Sequence, residues 1–153
     1  MDYQKEQNLA ASSASAEGKK VTAMEVAELC EKVAYARKAE NIVRLDMTGM
    51  DTALADQYII CTGLSEPHIG AIAEHIQREC RNRLGIRPLV CDGTPQSHWM
   101  IVDFGTVMVH VLTEDARARY QLEELWGDAP KTDVIAKLDA EAKAGRKTAF
   151  PGE

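Results

Sequence analysis

Two apolar segments on either side of Asp103-Phe104-Gly105-Thr106 constrain this chain more than any other feature. The first covers residues 99–102 and the second residues 107–112, so the pair reads as a β-hairpin. A period of two puts Val107, Val109 and Val111 on one face and Met108, His110 and Leu112 on the other. Both faces are largely apolar. Such a ribbon must be covered on both sides, by helices of its own chain or by another protein. It carries no array of nucleophiles, bases or metal ligands, and therefore reads as a binding surface.

Of the 153 residues 45% are hydrophobic, which suffices for one domain with a core of its own and leaves two cramped. The formal net charge of −6 disfavours broad adhesion to nucleic acid or anionic lipid and favours a basic partner. Residues 101–130 carry six acids against two bases, so the acidity is concentrated where the hairpin lies. No run approaches the ~20 apolar residues of a membrane span. The N-terminus has no apolar secretory core, and residues 1–20 contain no arginine of the kind a transit peptide needs. A soluble protein in the cytoplasm is expected. Cys30, Cys61, Cys80 and Cys91 sit in apolar segments without close pairing, as reduced core residues do.

Residues 1–20 are poor in bulky apolar groups and are expected to be a disordered extension. A domain over 21–130 follows, then a tail over 131–153 holding at most a short, loosely held helix anchored by Val134, Ile135 and Leu138. Within the domain, Thr22 and Glu25 form a capping box for a helix ending near Ala39. Strands are predicted over 42–47 and 58–62. A second helix begins at Ser65 and Pro67 and stops at Gly85. Pro88 confines a short strand over 89–91 to an edge or to a strand's first residue. The hairpin comes next, and a helical segment from Glu114 carries Tyr120, Leu122, Leu125 and Trp126 before Gly127 and Pro130 end it. The order implies an α/β (α+β) fold with a mixed five-stranded sheet packed by helices.

The chemical motifs are thin. Asp103-Phe104-Gly105 spells a kinase tripeptide, yet the glycine-rich loop, strand lysine and catalytic loop are missing, and a hairpin turn explains it. The junction over 63–68 could offer helix N–H groups to a phosphate, but it has one glycine, no Walker lysine and an acid inside it. No Asp-x-Asp follows it, so two-metal phosphoryl transfer lacks its ligands. The four histidines and four cysteines show no zinc spacing, and no cofactor is expected. His110 on a strand face reads as a hydrogen-bonded, semi-buried residue. Trp99, Phe104, Tyr120 and Trp126 are four of the chain's eight aromatics, all within 28 positions. With the local acidity they suggest an interface of aromatic anchors and a charged rim.

Several of these motifs fall in one order and spacing that resembles the Iojap-like ribosomal silencing factors. They are Asp56 with Tyr58-Ile-Ile-Cys-Thr-Gly63, Ser65 with His68, Trp99-Met-Ile-Val-Asp103-Phe-Gly105, Val107-Met-Val-His-Val111, and Arg119-Tyr120 through Leu122-Glu-Glu-Leu-Trp126. The resemblance covers about residues 22–128. It implies a nucleotidyltransferase-like topology without catalytic carboxylates, and a factor that represses translation when nutrients are scarce. It implies binding to the L-fourteen-family protein of the large ribosomal subunit, with the small subunit excluded. The interface it implies centres on Trp99 and Met100, with Asp103, Phe104 and Gly105 at the turn and Tyr120 and Trp126 nearby. Strand alternation sends Trp99, Ile101 and Asp103 one way and Met100 and Val102 the other. Two other readings compete: a divergent nucleotide-handling enzyme using the 63–68 junction, and a homodimer whose apolar hairpin pairs with itself. Neither membrane binding nor direct sequence-specific nucleic-acid binding is expected.

Overall fold

The computed structural model describes residues 20–145. The extension assigned to residues 1–20 therefore lies, but for Lys20, outside the described residues, as do the last eight residues of the assigned tail.

Helix α1 (Ala23–Ala36) opens on the expected capping box: Thr22 Oγ1 accepts from the Glu25 amide, and the Glu25 carboxylate accepts from the Thr22 amide. It ends at Ala36, three residues short of the expected Ala39, and Lys38 beyond it takes a left-handed φ of 67°. Strands β1 (Glu40–Asp46) and β2 (Gln57–Gly63) follow. Helix α2 (Glu66–Leu84) is capped by Ser65 and stopped by Gly85, whose φ of 68° suits a residue without a Cβ. Its stripe of Ile69, Ile72 and Ile76 is fully buried, each worth about 2 kcal/mol of apolar burial.

The rest of the sheet comes from β3 (Val90–Asp92), β4 (Trp99–Asp103) and β5 (Val107–Thr113), with a 3-10 turn (Pro95–Ser97) before β4. Two short helices, α3 (Glu114–Tyr120) and α4 (Leu122–Leu125), lead to β6 (Lys131–Asp133) and α5 (Val134–Lys143). The sheet order is β3-β4-β5-β2-β1-β6. Only β2 and β5 run parallel. Every residue of β2 is buried, as its central place and unbroken apolar run require.

The two-faced hairpin is covered on both sides by its own chain. Against one face, with Ile59, Cys61, Val102, Val107, Val109 and Val111, pack α1, α2 and α5. Against the other, with Tyr58, Ile60, Met108 and Leu112, pack residues of α3, α4 and the 47–55 loop.

The mixed α+β architecture is the expected one, with six strands where five were expected. Residues 131–133, assigned to the tail, pair antiparallel with Val43–Leu45. Lys-Thr-Asp offers no apolar alternation, so the strand is set by backbone pairing and left no mark in the sequence. The helix beyond it is not loosely held. Val134 and Leu138 are buried in the core, and Lys137 donates to Glu31 at 2.6 Å. Glu31 is 1% exposed and also accepts from Arg44 at 2.7 Å, which joins α1, β1 and α5. Cys91 likewise departs from expectation: it is exposed on β3, while Cys30, Cys61 and Cys80 are buried.

Candidate protein-binding site

On the second face, β2, β4 and β5 bring Tyr58, Trp99 and His110 side by side, because these positions share the same phase of the pleat. Thr113 ends β5 and caps α3 by accepting from the Ala116 amide, so the chain turns back over this face at once. Gln121 then takes φ 47°, which breaks the expected single helical segment into α3 and α4. The break sets Tyr120 over Trp99 and Trp126 over Tyr58.

Five rings result. The centroids of Trp99 and Tyr120 lie 4.7 Å apart, and those of Tyr58 and Trp126 meet edge to face at 4.7 Å. His110 sits between, 5.9 Å from Trp99 and 5.5 Å from Tyr58. Trp99 Nε1 donates to His110 Nδ1 at 3.2 Å, and burial pushes the imidazole pKa down to about 4. Tyr58 and His110 are buried; Trp99 and Trp126 are half-buried, and Tyr120 is 47% exposed. Leu125, at 67% exposed, extends the apolar surface along α4.

Arg117 holds this covering segment in place. Only 7% exposed, it donates through two nitrogens to the Glu123 carboxylate at 2.9 Å each, and also to Thr62 Oγ1 and the Asn41 carbonyl. Its hydrogen bonds keep the Glu123 carboxyl below the usual range. Along the same segment Glu114, Asp115, Glu124 and Asp128 are exposed against one exposed base, Arg119, so the covering segment is acidic on balance.

The structure thus brings Trp99, Tyr120 and Trp126 together and parts them from Met100 and Phe104. Both of the latter pack on the face covered by α1, α2 and α5, and Phe104, 5% exposed, is a core residue and not a surface contact. Asp103 is buried at the hairpin turn, where its Oδ1 accepts from the Gly105 amide at 2.8 Å. Gly105 has φ 91°, the conformation for which glycine is suited. Leu125, exposed on α4, and Tyr58, buried against Trp126, were missed as members of this group. The spacing of Tyr120, Leu122, Leu125 and Trp126 suggested one apolar helix side, whereas within the four-residue α4 Leu122 is buried and Leu125 is exposed.

The 63–68 junction is built differently from a phosphate cradle. The Leu64 amide donates to His68 Nδ1, the His68 amide to Ser65 Oγ and the Ile69 amide to the Ser65 carbonyl. The adjoining cleft, about 330 Å3, is lined by Glu40, Glu66, Glu114 and Asp115, whose charges oppose a phosphate. Among the described residues no three His, Cys, Asp or Glu side chains are grouped to hold a metal ion. Nor is any described helix long and apolar enough to cross a membrane.

Residues 20–151 match the family described as "Ribosomal silencing factor during starvation". The chain is 38% identical over 110 residues to ribosomal silencing factor RsfS of Halalkalibacterium halodurans, covering 72% of this chain and 92% of that one. It is 41% identical over 98 residues to RsfS of Bacillus subtilis, covering 64% and 81%. A mouse protein named for mitochondrial assembly of the ribosomal large subunit is 28% identical over 91 residues, which span 56% of this chain and 39% of the mouse protein. Among solved structures, a Chromobacterium violaceum protein superposes with a TM-score of 0.66 at 29% identity, covering 70% of this chain and 88% of its own. One from Bacillus halodurans gives 0.60 at 35%, covering 71% and 97%.

Proposed function

Because the chain belongs to the ribosomal silencing factor family, we propose that it binds the large ribosomal subunit in the cytoplasm and blocks its association with the small subunit. The partner is the L-fourteen-family protein of that subunit. Blockade is steric: a folded domain seated on the joining face excludes the small subunit and lowers translation when nutrients are limiting. No bond is made or broken.

The observation that supports this reading is the aromatic group of Trp99, Tyr120 and Trp126, partly open to solvent and carried in part by a segment whose exposed charges are mostly acidic. Half-buried aromatics supply large contact area at small entropic cost, and they dominate the energetics of many interfaces. Ribosomal proteins are generally basic, so that segment is complementary in sign and favours encounter. Met100, Asp103, Phe104 and Gly105 act behind this surface by holding β4 and the hairpin turn in shape.

Co-sedimentation with purified large subunits, coupled to a subunit-joining assay, tests the proposal. Trp99→Ala combined with Tyr120→Ala is expected to abolish both binding and inhibition of joining while circular dichroism shows the fold retained. Normal binding by that folded double variant would remove the proposed surface. Binding without inhibition of joining would leave a ribosome-associated protein of another kind. Two cheap measurements address the competing readings. A nucleotide with magnesium should raise the thermal midpoint of a nucleotide-handling enzyme and leave this protein unchanged. Light scattering with and without the ribosomal partner separates self-association through this face from competition for it.

A further inference from the structure

The acidic chain has one strongly basic stretch. Between residues 78 and 87 stand Arg78, Arg81, Arg83 and Arg87 against a single acid, Glu79, in a protein whose net charge is −6. Arg78 and Arg83 are tied to Glu74 and Glu79 one helical turn back. Arg81 and Arg87 are exposed, and neither has an acidic partner among the described residues.

Topology fixes where this stretch lies. Helix α2 follows β2 and returns antiparallel to it, so its last turn reaches the end of the sheet where β2 begins. β4 is antiparallel to β5, which puts Asp103 at that same end, paired with Met108. The Leu89 amide donates to the Asp103 carbonyl, so the segment that carries Arg87 is stitched to the hairpin turn. The arginines therefore flank the β3–β4 side of the sheet, at the opposite end of β4 from Trp99.

We propose that Arg81 and Arg87 form a second contact that engages the phosphate backbone of the large-subunit RNA. The inference rests on the reading that the chain docks on the large subunit. A ribosomal protein is embedded in RNA, so a domain seated on one meets phosphates at the margin of its footprint. An anionic domain is repelled by them unless it turns a basic end that way. Guanidinium groups suit this role, because their donor fork matches phosphate oxygens and they remain charged at every relevant pH. Free cations are required, since an arginine held by a neighbouring glutamate has its charge already compensated; this singles out Arg81 and Arg87 over Arg78 and Arg83. The contact is blind to sequence. Its effect is to fix the orientation of the bound domain, and so which side of it faces the incoming small subunit.

The test compares wild type with Arg81→Glu/Arg87→Glu on two probes, purified large subunits and the isolated L-fourteen-family protein. On subunits the variant is expected to bind at least about tenfold more weakly near 100 mM salt, and the slope of log affinity against log salt should shrink by about two, one per lost phosphate contact. On the isolated protein the two should bind equally. Unchanged affinity and slope on subunits would overturn the proposal, as would an equal loss on both probes, which would assign the arginines to the protein contact. Failure of wild type to bind either probe would instead overturn the reading that the chain is a large-subunit ligand.

Discussion

Trp99 and His110 share a hydrogen bond that fixes a tautomer: with the indole N–H donating to Nδ1 at 3.2 Å, the imidazole proton must reside on Nε2. That Nε2 is buried and has no partner among the described residues, with the rings of Tyr58 and Trp126 packed around the imidazole. Burial lowers the folded-state pKa from 6.5 to about 4. The folded protein then stays neutral at His110 while the unfolded chain takes up a proton, so acid favours unfolding. The stability at stake is fully present above pH 6.5 and is lost as pH falls toward 4, in total on the order of 3 kcal/mol. His110→Phe should flatten the pH dependence of the urea midpoint between pH 6.5 and 5, above the range in which the carboxylates titrate. An undiminished slope in that variant would assign the effect to another group.

The two faces of the sheet should separate stability from binding. Tyr120→Ala removes an exposed ring and is expected to weaken large-subunit binding by roughly 2 kcal/mol with less than about 1 kcal/mol lost in folding. Phe104→Ala empties a core site and should cost about 3–5 kcal/mol of folding stability. Its folded fraction should bind normally. Denaturant titration and co-sedimentation on the same preparations read both quantities.

Glu31 is the buried hinge pin of the C-terminal helix. Glu31→Ala leaves Arg44 and Lys137 without their shared carboxylate and should destabilise the fold by about 3 kcal/mol. Hydrogen exchange offers the sharper check, because amides of α5 and β6 should lose protection before those of β2 and β5.

Gln57, 6% exposed, has an Oε1 with no partner among the described residues and a long 3.4 Å contact from Nε2 to Asp46. Asp46 remains satisfied by Thr48, whose hydrogen bonds keep its carboxyl below the usual range. Gln57→Met retains the shape and removes the stranded carbonyl. It should raise stability by about 1 kcal/mol, read as a higher thermal midpoint.

Thiol titration of the native protein should find one reactive cysteine. Cys91 is exposed, though partial burial and the Asp103 charge push its pKa up and will slow its reaction below that of a free thiol. Cys30, Cys61 and Cys80 should react only after unfolding; burial takes the Cys61 pKa to about 12. Early modification of more than one thiol would mean that the α1–α2 seam opens in the native state.

Legibility followed apolar patterning. Thr22 with Glu25, Ser65 before Pro67, and Gly85 after Leu84 announced both long helices, because caps and stripes are local devices. The strand alternation of residues 107–112 also placed side chains on their true faces. What escaped is what depends on distant partners. β6 exists through its pairing with β1, and the docking of α5 depends on a carboxylate about a hundred residues away. The aromatic group was foreseen as a neighbourhood in the chain, but its shape depends on one backbone conformation, at Gln121, that no neighbouring residue type demanded.

The two outermost strands of the sheet, β3 and β6, are each three residues long. A border so brief offers a foreign strand little backbone to zip onto, which protects the protein from edge-to-edge polymerisation at high concentration. It also narrows how any partner can recognise it. Recognition must read side chains on a face, so affinity is tunable by single substitutions, and a short peptide mimicking a strand would make a poor inhibitor.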